Sequence, residues 1–227
     1  MPRIYTIELI DAVDENLNQM KQTQVITSVK IKPLLEHLRS ALEYVANDTF
    51  EKYKPGQDNS KICFPYGAKK FIDNFFIKKL GVSNLNSFPL HKIFSSIQDY
   101  QTGETWLSDM CCLTNEVKHR NPLPLWTEES VKTFTLDQPG FIKIVTSGEV
   151  NIEFKNNHHN GIKFSDFTFK EGKYESSRNG HPLNISLTKD KKIRIKGYEY
   201  EVIPFIEKCS NELRRFVNLA YDELEKL

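Results

Sequence analysis

The chain has 227 residues, enough for one large domain or two small ones at roughly 100–200 residues per domain. Thirty-one basic residues against thirty acidic leave a net charge of +1, and there are ten Gly and ten Pro. That balance excludes a low-complexity or collagen-like chain, an acidic tail and a grossly basic nucleic-acid coat, while leaving room for a local basic patch.

The first element is a helix over 6–22, with Ile7, Ile10, Val13, Leu17 and Met20 recurring at helical steps. Glu8, Asp11 and Asp14 break up any signal-peptide-like run. A longer helix is predicted over 27–53 on the stripe Leu34, Leu35, Leu38, Ala41, Leu42 and Val45. Pro33 lies inside that stripe, so this helix is expected to start near Ile31 or to kink. Arg39 and Glu43 are spaced i,i+4 on its polar side. A loop from Lys54 to Ser60 leads to a short ordered segment, Cys63-Phe64-Pro65-Tyr66-Gly67. Residues 68–80 read as a third helix with Phe71, Ile72, Phe75, Phe76 and Leu80 inward and Gly81 as its C-cap. A fourth runs over 87–100, capped by Ser87, with Pro89 in its first turn. A fifth runs over 104–119, and Pro122 and Pro124 close the helical region.

From about 131 to 203 the period falls to two. Residues 141–145 and 150–154 flank Ser147-Gly148, which predicts a hairpin. Lys189-Asp190-Lys191 is a second turn candidate, and six to eight short strands are expected in an antiparallel sheet. Val202 to Leu227 returns to helix. The fold class is therefore α+β: a bundle of five to six helices with an antiparallel β-rich insertion before the C-terminal helix. The expected divisions are 1–127 for the bundle, 128–202 for the β-rich region and 203–227 for the returning helix.

No stretch reaches the roughly 18 apolar residues of a membrane span, so no membrane partner is expected. The four cysteines, Cys63, Cys111, Cys112 and Cys209, contain no C-x-x-C pair. They read as small apolar filler in a reduced, cytoplasmic protein.

Chemistry concentrates on the fifth helix. Trp106, Leu107, Met110, Leu113 and Val117 form one arc of roughly 130° at 100° per residue. Cys112, Asn115 and His119 cluster opposite, flanked by Glu116 and Lys118. A polar, nearly uncharged face suits a packed seam, a subunit interface or a site. His119 is the candidate general acid or base. Asn115, Lys118 and Arg120, with Arg39 from the second helix, are the candidate binding residues, the cations suiting phosphate. The bland reading is stronger against catalysis, since a Lys-His-Arg run at a helix C-terminus simply complements the macrodipole. His158-His159, with His181 as a third ligand, is the weaker alternative of a metal site and reads rather as a solvated turn. No phosphate-binding glycine loop and no G-x-S-x-G elbow is present. No cofactor and no metal is expected. A third placement puts recognition in the β region, on Phe164, Phe167 and Tyr174, although Phe167 and Phe169 suit the sheet core better.

Two blocks carry a resemblance. Leu35-Glu36-His37-Leu38-Arg39-Ser40-Ala41-Leu42-Glu43-Tyr44-Val45-Ala46 resembles the "HNLRSALDHLA" helix of a widespread bacterial family of uncharacterised function. Asn115-Glu116-Val117-Lys118-His119-Arg120 resembles its "N-x-x-D-K-H-R" block, and Cys63-Phe64-Pro65-Tyr66 lies where that family has "FPI". The helical part of such proteins is similar to HEPN bundles. The resemblance implies a homodimer that is a ribonuclease, or a nucleotide-, RNA- or protein-binding partner, in defence or toxin–antitoxin systems. The HEPN ribonuclease signature is an arginine, four to six residues, then a histidine. Here Arg39 is followed at those positions by Tyr44, Val45 and Ala46, and Arg120 by Leu125, Trp126 and Thr127. The expectation is therefore a non-enzymatic HEPN-like binding module, probed against the alternative of a metal-independent endoribonuclease using His119 with Lys118 and Arg120.

Overall fold

The computed structural model describes residues 3–119, 122–148 and 150–226, with His119 described by its backbone. The protein is α+β, and it divides into two compact units. The helical unit comprises 1–126 and 193–227, and the β unit comprises 127–192. The β unit therefore ends at Lys192 rather than 202, because the last residues of the final strand belong to the helical unit. Among the described residues no helix is long and apolar enough to cross a membrane.

In the helical unit, α1 is Arg3–Thr23 and α2 is Ser28–Tyr53. Thr27 caps α2, its hydroxyl accepting the Lys30 N–H. The helix starts at Ser28 and runs through Pro33. The carbonyl that loses its i+4 donor there is that of Val29, a residue 81 % exposed. The α1 stripe of Ile10, Val13, Leu17 and Met20 packs with the α2 stripe in one core. The C-terminal helix α7, Val202–Leu224, joins the same core through Phe205, Ile206, Leu213, Phe216 and Val217. Polar bonds tie its surface to the first two helices: the Tyr221 hydroxyl donates to Asp48 at 2.6 Å, and Arg214 donates to Asp14 at 2.8 Å.

The third helix departs from its expected form. α3 spans Lys69–Asn74 and continues as a π-helical turn, Phe75–Leu80, ended by Gly81 in the left-handed region at φ 78°. The adjacent Phe75 and Phe76 both face inward on this turn. Phe71 does not: it is 50 % exposed. It lies about 100° around the helix from the buried Ile72, at the edge of the apolar arc.

The expected fourth helix is two. α4 spans Pro89–Ser96 and α5 spans Asp99–Thr102. Ser87 does not cap α4; Phe88 holds the cap position, and the Ser87 hydroxyl donates to the Asn84 carbonyl. The break falls at Gln98, which is extended and fully buried. Its amide donates to the carbonyls of Pro65 and Phe94, and its oxygen accepts the Gly67 N–H. A satisfied buried amide outweighs the lost helical bonds. α6, Trp106–His119, completes the bundle.

In the β unit, β1 is Leu125–Gln138 and β2 is Ile142–Ser147. The strands β3 (Ile152–Phe154), β4 (His158–His159), β5 (Ile162–Lys163), β6 (Phe167–Lys170), β7 (Lys173–Ser176) and β8 (Ile185–Ile195) follow. They form sheets ordered β2-β1-β8 and β3-β6-β7 and a β4-β5 ribbon. The hairpin predicted around Ser147-Gly148 is not formed. β2 pairs back onto β1, with Gln138 opposite Ile142 across the Pro139-Gly140 turn, and β3 pairs with β6. The rings decide this pairing: Phe154 lies opposite Phe167 and stacks on it at 5.2 Å, inside a core of Phe134, Leu136, Phe154, Phe164, Phe167 and Phe169. Lys189-Asp190-Lys191 is also not a turn but the middle of β8. Residues two apart share a strand face, so Lys189 and Lys191 both reach Glu129, each at 3.1 Å.

Candidate functional site

The residues singled out on α2 and α6 meet in part. Arg39 and Glu43 lie one turn apart on α2 and form an ion pair with side chains 19 % and 25 % exposed. Arg39 Nη1 also donates to Cys111 Sγ on α6 at 2.9 Å. The guanidinium sits 4.8 Å from the centre of the Tyr66 ring. Glu43 Oε2 accepts the Phe64 N–H at 2.6 Å. The segment 63–66 is thereby strapped across both helices. Burial of Phe64 between the rings of Phe94 and Phe216 holds it from beneath.

Electrostatics follow from this closure. Burial pulls the Arg39 guanidinium down, but the Cys111 sulfur and the Glu43 carboxylate outweigh it, and the arginine is held above its ordinary value. Burial pushes the Cys111 thiol up to about 11 against the opposing pull of Arg39, so at neutral pH it is a thiol and no nucleophile. The Tyr66 phenol is also raised, chiefly by burial, while Arg39 and a hydrogen bond with the Asn115 side chain pull the other way. Arg39 and Asn115 are thus joined through Tyr66, although they are far apart in the chain.

The rest of the expected face lies outside this node. Cys112, Asn115, Glu116 and Lys118 are exposed on α6. Burial pushes the Cys112 thiol up, and the carboxylates of Asp109, Glu116 and Asp99 push it further. Asp109 is itself fixed, accepting from the Tyr200 hydroxyl at 2.7 Å and the Thr105 hydroxyl at 2.6 Å. This end of the α6 strip is carboxylate-rich, which is a poor setting for a phosphate. His119 closes α6 with its backbone, while its side chain and the whole of Arg120 lie outside the described residues.

In the β unit, Phe164 and Phe167 are buried in the aromatic core, and Tyr174 is 39 % exposed. The His159 ring stacks on Phe141 at 4.8 Å. Among the described residues no three His, Cys, Asp or Glu side chains are grouped so as to hold a metal ion.

Reading the residues alone missed Tyr66 and Cys111 as partners of Arg39. The i,i+4 spacing of Arg39 and Glu43 was the one local signal, and the contacts from 63–66 and α6 are tertiary. Comparison of the chain with protein-family models finds no match. Comparison with curated proteins and with solved structures likewise finds none.

Proposed function

We propose that this protein is a non-enzymatic binding module of the HEPN-like kind, which associates with a second copy of itself through the exposed strip of α6. The observation that carries the reading is the closure around Arg39. Its charge is already met by Glu43, its face by Tyr66 and its edge by Cys111. A phosphate would have to displace a carboxylate there, and the nearest thiol is protonated. The node acts as a clamp on α2, α6 and the segment 63–66, and it leaves Asn115 at its rim.

The strip itself is self-complementary. Glu116 and Lys118 flank a nearly neutral centre of Cys112 and Asn115. A two-fold contact would set Glu116 of one copy near Lys118 of the other. Sedimentation velocity at micromolar concentration tests this. Wild type is expected to sediment as a dimer, Glu116→Lys and Lys118→Glu each as a monomer, and the double swap as a dimer again. A wild type that stays monomeric overturns self-association. Cleavage of RNA in EDTA that disappears in His119→Ala, with circular dichroism unchanged, overturns the non-enzymatic reading in favour of His119 acting with Lys118 and Arg120.

A further inference from the structure

A second surface of the helical unit is built differently, and it does not depend on the α6 strip. On one side the loop supplies Lys61, Cys63 and Pro65; on the other, α3 and the π-helical turn supply Phe71, Lys78 and Lys79. These residues line a shallow cleft of about 250 Å³. No acidic residue lines it. Among the described residues Lys61, Lys78 and Lys79 have no carboxylate partner, whereas Lys69 nearby is paired with Asp73. Three unpaired cations around one cleft repel each other without an anion. Phe71, half exposed, presents its ring beside them, with the Lys70 ammonium 5.3 Å from the ring centre as a fourth cation. Lys78 and Lys79 line the same cleft as Phe71, seven and eight residues earlier on the same helical face.

We infer that this cleft binds single-stranded nucleic acid, with a base stacked on Phe71 and the backbone phosphates on Lys61, Lys78 and Lys79. A basic groove with an accessible aromatic ring is what sequence-tolerant strand binding requires. The cleft is too shallow to enclose a small molecule, for which pockets of roughly 300–1,000 Å³ are usual, but an open platform suits a flat base and a passing backbone. The larger cavity of the β unit contrasts with it. That cavity is lined by Glu129, Glu171, Lys173 and Lys189, both signs together, and its Lys189 is already engaged by Glu129.

The test is fluorescence anisotropy of a labelled twelve-nucleotide oligouridylate with the full chain, at several salt concentrations. For wild type the slope of log K on log salt is expected near −2, at about 0.7 per phosphate contact for three lysines. Lys78→Glu/Lys79→Glu is expected to reduce the slope to about −0.7 and to weaken binding at least tenfold. Phe71→Ala is expected to weaken it about five- to a hundred-and-fiftyfold, the range set by one base on one ring. Phe71→Leu serves where the alanine variant melts early, and Lys52→Glu/Lys173→Glu controls for net charge. Cys63 supplies a second readout: in a Cys112→Ser background, the oligonucleotide should protect Cys63 from maleimide. Affinity unchanged by the cleft variants overturns the inference. So does competition by oligoglutamate that ignores Phe71→Ala, which marks an acidic peptide site. Binding of uridine monophosphate with no gain from a longer strand overturns it in favour of a mononucleotide.

Discussion

Phe94 in the helical unit packs against four rings, Phe64, Phe75, Phe76 and Phe216, which come from a loop, the π-helical turn and α7. Phe134 in the β unit packs against two, Phe167 and Phe169, both from β6. The helical core is closed by segments from both ends of the chain, so the ring cluster around Phe94 is not complete without α7. The β core draws all of its buried rings from one continuous stretch. Similar residues thus build one core that is long-range and one that is contained.

The largest test of that contrast is Phe94→Ala. It empties the meeting point of four rings and is expected to cost about 3–5 kcal/mol, the usual range for deleting a buried Phe. The loss should appear as a lower urea midpoint for the helical circular-dichroism signal. Phe134→Ala is expected to cost about 3 kcal/mol within the β unit. Hydrogen exchange should then quicken in β1, β2 and β6 while the amides of α1, α2 and α7 keep their protection. Loss of protection in those helices would break the contrast.

Gly180→Ala sharpens it. A Cβ there would meet the Phe164 backbone at 2.6 Å, so the strap that gives the Gly180 carbonyl to the Ser165 hydroxyl must shift. The expected loss is about 1–3 kcal/mol, again confined to the β unit by hydrogen exchange.

Arg39→Met probes the clamp. It leaves the Glu43 carboxylate with the Phe64 N–H and no cation, an expected loss of about 1–3 kcal/mol by thermal melting. Arg39→Met/Glu43→Met should recover part of it, since both charges are then gone. No recovery would mean that Arg39 acts through packing on Tyr66 rather than through charge.

Acid adds a smaller term. Burial pushes the Asp73 carboxyl up, but hydrogen bonds from Lys69 and His91 more than offset this and hold it below the usual carboxylate range. A depressed folded pKa stabilises the protein above about pH 4 and loses that contribution as the pH falls through the folded value. The gap in urea midpoint between wild type and Asp73→Asn is therefore expected to be open at pH 6 and to narrow at pH 3. The smallest effect is in thiol chemistry. Cys63 and Cys112 are exposed, and Cys111 and Cys209 are buried. Cys63 alone should react readily with a disulfide reagent in the folded dimer at pH 8, Cys112 as well in the monomeric Glu116→Lys variant, and all four once the chain is unfolded.

Helical periodicity made α1, α2, α6 and α7 legible, because each carries its burial pattern in its own three- and four-residue steps. The α+β class and the place of the β-rich region followed from the change of period. Three departures were set by distant groups instead. Gln98 broke the fourth helix to satisfy carbonyls on Pro65 and Phe94. The rings of β3 and β6 overruled a local turn signal. Pairing of β8 with β1 carried Lys189-Asp190-Lys191 through as strand, with both lysines beside Glu129. Of the candidate site, the chain displayed Arg39, Glu43, Asn115 and Lys118 as residue types. It did not display that Arg39 is closed off by Cys111 and Tyr66, nor that Phe71 stands open between lysines. The reason is range: a propensity or a periodicity acts within one turn or one strand, whereas which charges are neutralised and which rings stay exposed depends on segments tens of residues away.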